Sequence, residues 1–174
     1  MNIEEALTTA MELEVRARDA YVEAWDAAKH PRTRMLLDLL SDEEHAHLQF
    51  LEHELDQWSR TRGLSVNRTV VEPEVHKTVQ RWAERAWEIL DGVDFDEEIE
   101  LLEGVLKIEE TSNLFYQKLV ENLPSEAKLF FENFLQAERG HMELVEAQLE
   151  AVRRDSSIPP ALHRLQGDSD PSEN

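Results

Sequence analysis

Apolar residues recur along this chain at the spacing of an α-helix. One stripe runs Leu7, Met11, Ala17, Tyr21, Trp25, Ala28 and a second Leu37, Leu40, Leu48, Leu51, Leu55, Trp58. Two more lie downstream: Ile99, Leu102, Val105, Tyr116, Leu119, Leu123, then Phe131, Phe134, Val145, Leu149, Val152. Period-two alternation is nowhere sustained, so the chain is predicted to be all-α. Each stripe covers about 25 residues, roughly 37 Å of helix, a length suited to a four-helix bundle.

Punctuation sets the limits of these helices, here A to D. Pro31 stands where a first helical residue would, Asp94 and Glu97 resemble a capping box opening helix C, and Pro124-Ser125 separates C from D. A–B and C–D are therefore predicted as short hairpins. A longer crossover over about 59–92 joins them and carries a predicted extra helix at 74–90 with Trp82 and Trp87. The expected division is a bundle over 1–153 and a mobile polar tail over 154–174, which holds Pro159, Pro160 and Gly167. The chain also repeats itself: Glu14 and Glu109 are 95 residues apart, as are Tyr21 and Tyr116, while Glu44 and Glu138 are 94 apart, as are His47 and His141.

Composition narrows the chemistry. The 174 residues include 18 Lys+Arg against 38 Asp+Glu, a formal net charge of -20, which argues against nucleic acid and anionic lipid as partners. No run of apolar residues is long enough to span a membrane, and the acidic start Asn2-Ile3-Glu4-Glu5 has no apolar signal segment, so a cytoplasmic protein is expected. There is no cysteine, which excludes disulfides, thiolate zinc sites, iron–sulfur clusters and thiol catalysis. Any metal must be held by oxygen and imidazole nitrogen.

The four stripes are interrupted by ionisable residues: Glu14 in A, Glu44 and His47 in B, Glu109 in C, Glu138 and His141 in D. Four isolated carboxylates in a bundle core would cost several kcal/mol each, and no Lys or Arg occupies a matching position. Two divalent cations would balance them. Glu14 lies 16 residues before His30 and Glu44 14 after it; Glu109 lies 15 before Pro124 and Glu138 14 after it. Antiparallel hairpins therefore bring all four to one height, with mismatches of about 3 Å or less. In each Glu-x-x-His pair the i, i+3 spacing places both groups on one helix face. With 27 Glu and 7 His in 174 positions, about one such pair arises by chance, but not two in register, each preceded by a glutamate 29 or 30 residues earlier. Ser41-Asp-Glu-Glu44 also fits a capping box, yet Pro31 supplies an earlier start and the stripe continues through it. His45 and His53 lie off the phase of Glu44 and His47 and read as surface histidines, and the acidic run at 94–103 as a solvated face. Trp25 and Trp58 read as packing or dimer residues, with Trp82 and Trp87 the better interface candidates.

Glu14-x2-Ala17-x3-Tyr21, Glu44-x-x-His47, Glu109-x6-Tyr116 and Glu138-x-x-His141 resemble the ferritin-like di-iron superfamily, in particular its rubrerythrin branch, over about 1–153. The resemblance implies Glu44 and Glu138 as bridging carboxylates, Glu14 and Glu109 as terminal ones, and His47 and His141 as one nitrogen ligand per metal. It implies Tyr21 and Tyr116 as hydrogen-bond donors to the terminal carboxylates. The implied cofactor is two iron ions, with manganese or zinc also fitting. The chain departs from relatives of this kind at three points. It has no cysteine-ligated rubredoxin domain, so electrons would come from a separate donor protein. Ser112 stands where rubrerythrins carry a second helix-C glutamate, and His45 stands where bacterioferritins place a haem-ligating methionine, so no haem is expected.

The implied activity is reduction of hydrogen peroxide or O2 at the carboxylate-bridged centre. The alternatives are a ferroxidase serving iron storage and a bundle stapled by structural metals. A homodimer or larger homo-oligomer is expected.

Overall fold

The computed structural model describes residues 2–65 and 93–157. They form four helices: α1 (Ile3–Ala27), α2 (Pro31–Thr61), α3 (Phe95–Asn122) and α4 (Ser125–Ser156). These are helices A to D of the sequence, all long. The predicted extra helix at 74–90, Trp82, Trp87 and residues 158–174 of the predicted tail lie outside the described residues. Helix α4 runs through Ser156, so residues 154–156, assigned above to the tail, are helical.

Local chemistry explains the ends. Asn2 and Glu5 form a reciprocal capping box at the start of α1, with bonds of 2.9 and 3.0 Å. Pro31 opens α2 behind His30, whose Nδ1 accepts from the Arg32 amide. Asp94 caps α3 by accepting from the amides of Asp96 and Glu97. Arg62 ends α2 in the left-handed region at φ 57°, its amide donating to the Trp58 carbonyl at 2.9 Å.

Helix α1 packs along α2 and α3 along α4, and the hairpins meet through α1 with α3 and α2 with α4. Three bonds tie one hairpin to the other near the α1–α2 loop. Glu98 Oε2 on α3 accepts from the amides of Lys29 and His30 at 2.9 and 3.2 Å, and Gln148 Nε2 on α4 donates to Thr33 Oγ1 at 3.2 Å. Glu98 thereby satisfies two loop amides that no helix ladder serves.

The core is two apolar layers. One gathers Leu7, Leu51, Leu119, Phe130, Phe131 and Phe134; the other gathers Leu37, Leu40, Leu102, Val145, Leu149 and Val152. On every helix a polar stretch separates them: Glu14 lies between Ala10 and Ala17, Glu44 and His47 between Leu40 and Leu51, Glu109 and Ser112 between Val105 and Tyr116, and Glu138 and His141 between Ala137 and Val145. The bundle is thus an apolar sandwich with one buried polar layer across its middle. Trp25 departs from its predicted stripe. It is exposed near the end of α1 and carries the Arg34 guanidinium 4.9 Å from its ring centroid, whereas Trp58 packs half-buried on the first apolar layer. His45 and His53 are exposed, as the phase predicts.

Candidate metal centre

All six candidate ligands lie in the polar layer, and none is more than 4% exposed. They form two groups, Glu14, Glu44, His47 and Glu138, and Glu44, Glu109, Glu138 and His141. Within each group every residue offers one ligand atom within 4.8 Å of the others. Glu44 and Glu138 belong to both. The imidazole rings of His47 and His141 stack with centroids 5.7 Å apart, and the His47 ring makes a T-shaped contact with Phe134 of the apolar layer.

The contacts follow the repeat for the outer glutamates, while Glu44 faces both histidines. His47 Nδ1 lies 3.1 Å from Glu44 Oε2 and 3.4 Å from Glu14 Oε2. His141 Nδ1 lies 3.1 Å from Glu44 Oε1 and 3.6 Å from Glu109 Oε2. The tyrosines cross between hairpins: Tyr21 of α1 donates to Glu109 Oε1 of α3 at 2.7 Å, and Tyr116 of α3 donates to Glu14 Oε1 of α1. Each outer carboxylate is therefore held by a hydroxyl from the other half of the chain.

Several polar atoms of the layer have no hydrogen-bond partner although fully buried: Glu44 Oε1, Glu109 Oε2, both oxygens of Glu138, and His141 Nδ1. Buried polar atoms are ordinarily paired, and these five belong to the four residues of one ligand group. Orphaned oxygen and imidazole lone pairs converging in one dry layer are what a divalent cation requires, so the residues fit a pair of such ions.

The electrostatics agree. Burial pushes Glu14 up to about 8, with the Glu44 carboxylate adding to the shift. Burial, then the charges of Glu44 and Glu14, raises Glu138 well above the carboxylate range, and burial raises Glu109 against the opposing pull of His141. Burial also works against Glu44, but its hydrogen bond with Glu14 and the neighbouring histidines hold it well below the usual range. Burial disfavours the imidazolium of His47, yet bonds to Glu14 and Glu44 carry it up to about 9; His141 is raised by Glu109 and Glu44 against the same opposition. Burial and the nearby carboxylates keep Tyr21 and Tyr116 protonated, hence donors. The layer retains protons because its own side chains do not balance four carboxylates, and cations would displace those protons.

One residue escaped the sequence reading. Glu43, 7% exposed, points its Oε2 at His141 Nε2 across 2.6 Å. Its phase was the available signal, because Leu36, Leu40, Glu43 and His47 follow one another at intervals of four, three and four and are all buried. Ser112, buried one turn beyond Glu109, brings no carboxylate to the layer.

The family model described as Rubrerythrin matches residues 5–149. No curated protein and no solved structure matches the chain significantly. Among the described residues no helix is long and apolar enough to cross a membrane. With 145 consecutive residues matched, spanning all four helices and both ligand groups, the chain belongs to the rubrerythrin family, within the ferritin-like di-iron superfamily.

Proposed function

We propose that this chain is a di-metal oxidoreductase, with iron as the working metal, that reduces hydrogen peroxide or O2 and is re-reduced by a separate electron-donor protein. The observation that supports it is the buried layer of four carboxylates and two imidazoles, arranged as two ligand groups that share Glu44 and Glu138. In this reading Glu14 and His47 serve one ion, Glu109 and His141 the other, and Glu44 and Glu138 both. Bound iron would supply two electrons, which with two protons convert one hydrogen peroxide to two waters.

The chain's own residues perform the rest. Four carboxylates offset the charge of two divalent ions, so the centre is neutral with both histidines uncharged. Tyr21 and Tyr116 hold Glu109 and Glu14 in place and leave each the second oxygen for coordination. The apolar layers on both sides, Phe134 beside His47 on one and Leu40 and Val145 on the other, limit water to what the reaction admits.

The test is anaerobic titration of the metal-free chain with Fe(II), then stopped-flow mixing with peroxide or O2 while following near-ultraviolet absorbance of ferric iron. Two irons per chain, oxidised by peroxide much faster than by O2, are expected. Preference for O2 with oxidation continuing beyond two irons per chain, together with a many-subunit shell on gel filtration, would make iron the substrate and the protein a storage ferritin. Failure to bind two metals, with Glu44→Ala and Glu138→Ala indistinguishable from the parent, would overturn the assignment.

A further inference from the structure

The two ligand groups are copies in their donors but not in what stands behind them. The two ring nitrogens of His141 differ in their surroundings: Nδ1 faces Glu44 and Glu109 without a hydrogen bond, and Nε2 lies 2.6 Å from Glu43 Oε2. A carboxylate accepting from Nε2–H fixes the tautomer, so that the Nδ1 lone pair is presented to the layer, and it clamps the ring at the angle this requires. Glu43 reaches His141 from α2, whereas His141 stands on α4, so the clamp also fixes the spacing of the two helices at this height.

The repeat predicts a matching carboxylate behind His47, at the position 94 residues after Glu43. That position is Ala137, which packs in the apolar layer. His47 instead makes a T-shaped contact with the Phe134 ring, and its contacts with the carboxylates of Glu14 and Glu44 are made through Nδ1. The His141 side also carries the four carboxyl-group residues Glu43, Glu44, Glu109 and Glu138, against Glu14, Glu44 and Glu138 on the His47 side.

We infer that Glu43 is a positioning residue that makes the two ion positions unequal, so that the group containing His141 takes the first divalent cation and the group containing His47 the second. The inference rests on the di-metal reading above and adds an order of loading to it. A carboxylate behind a metal-bound imidazole typically changes metal affinity about 10–100-fold, which sets the expected gap.

Zinc titration of the metal-free full chain tests this, followed by calorimetry and by NMR of the ring nitrogens in histidine-labelled protein, with resonances assigned from His47→Gln and His141→Gln samples. The parent should bind in two steps separated by about 10–100-fold, with His141 Nδ1 shifting in the first equivalent and His47 in the second. Glu43→Ala should merge the two steps, and Glu43→Gln, which keeps an oxygen acceptor for Nε2–H, should restore part of the gap. Should Glu43→Ala lose its helical circular dichroism, the narrowed gap in Glu43→Gln decides. Two equal steps in the parent, His47 shifting first, or a gap unchanged in both variants would overturn the inference while leaving the two-ion centre standing. A parent that takes up no zinc would overturn the centre itself.

Discussion

Glu138 is the residue whose replacement most directly separates function from stability. It is fully buried, neither carboxyl oxygen has a hydrogen-bond partner, and burial beside Glu44 and Glu14 raises it well above the carboxylate range. In the metal-free protein its two unsatisfied oxygens each carry a desolvation cost of about 1–3 kcal/mol. Glu138→Met keeps the length and approximate volume of the side chain and removes those oxygens without breaking a hydrogen bond. The metal-free variant should be more stable than the metal-free parent by about 2–4 kcal/mol, in keeping with buried ionisable groups replaced by well-packed apolar ones. At about 2–4 °C per kcal/mol for a chain of this size, the melting temperature should rise by about 4–16 °C. Zinc at a hundredfold excess over its dissociation constant should stabilise the parent by about 2.7 kcal/mol and the variant by much less, since both ligand groups have lost a shared member. Thermal melts by circular dichroism with and without zinc provide both readings. A metal-free Glu138→Met destabilised by more than about 1 kcal/mol, or one that keeps the full increment from zinc, would refute the reasoning.

Further outcomes follow from the same layer. Glu14 is raised to about 8 and His47 to about 9, both above their unfolded values, so the native state binds more protons than the unfolded chain across that window. Metal-free stability should accordingly fall as pH rises from about 5 to 9, measured by guanidinium titration, and metal uptake at pH 7 should release protons, seen as a buffer-dependent calorimetric enthalpy; stability that climbs with pH would contradict this. Tyr116→Phe removes a buried donor to Glu14, and Tyr21→Phe one to Glu109. Each should cost about 1–3 kcal/mol, and by zinc-monitored histidine NMR the first should weaken the His47 position and the second the His141 position. The opposite assignment would disprove the crossed arrangement.

Helix identity and the six candidate ligands were legible in the chain because both depend on local geometry. The 3.6-residue period, Pro31 at a helix start, Asp94 at a cap and Glu-x-x-His at i, i+3 are decided within a turn or two of helix. Counting outward from each hairpin loop added the common height of the four glutamates, because rise per residue is constant. How one hairpin faces the other was not legible, since no local rule governs it. The bonds from Tyr21 to Glu109, from Tyr116 to Glu14, and from Glu98 to the α1–α2 loop each join residues at least 68 positions apart, and the contact of Glu43 with His141 joins residues 98 apart. Trp25 marks the same boundary on the outside, where a residue in helical phase stays exposed and meets the Arg34 guanidinium of α2 rather than an apolar neighbour. Sequence alone determined which residues would be buried ionisable misfits in an apolar stripe. Packing of the two hairpins decided which of them share a ligand group, which hydroxyl holds which carboxylate, and that one histidine has a carboxylate behind it while its repeat partner packs on a phenylalanine ring, because side chains from different helices meet only when the bundle closes.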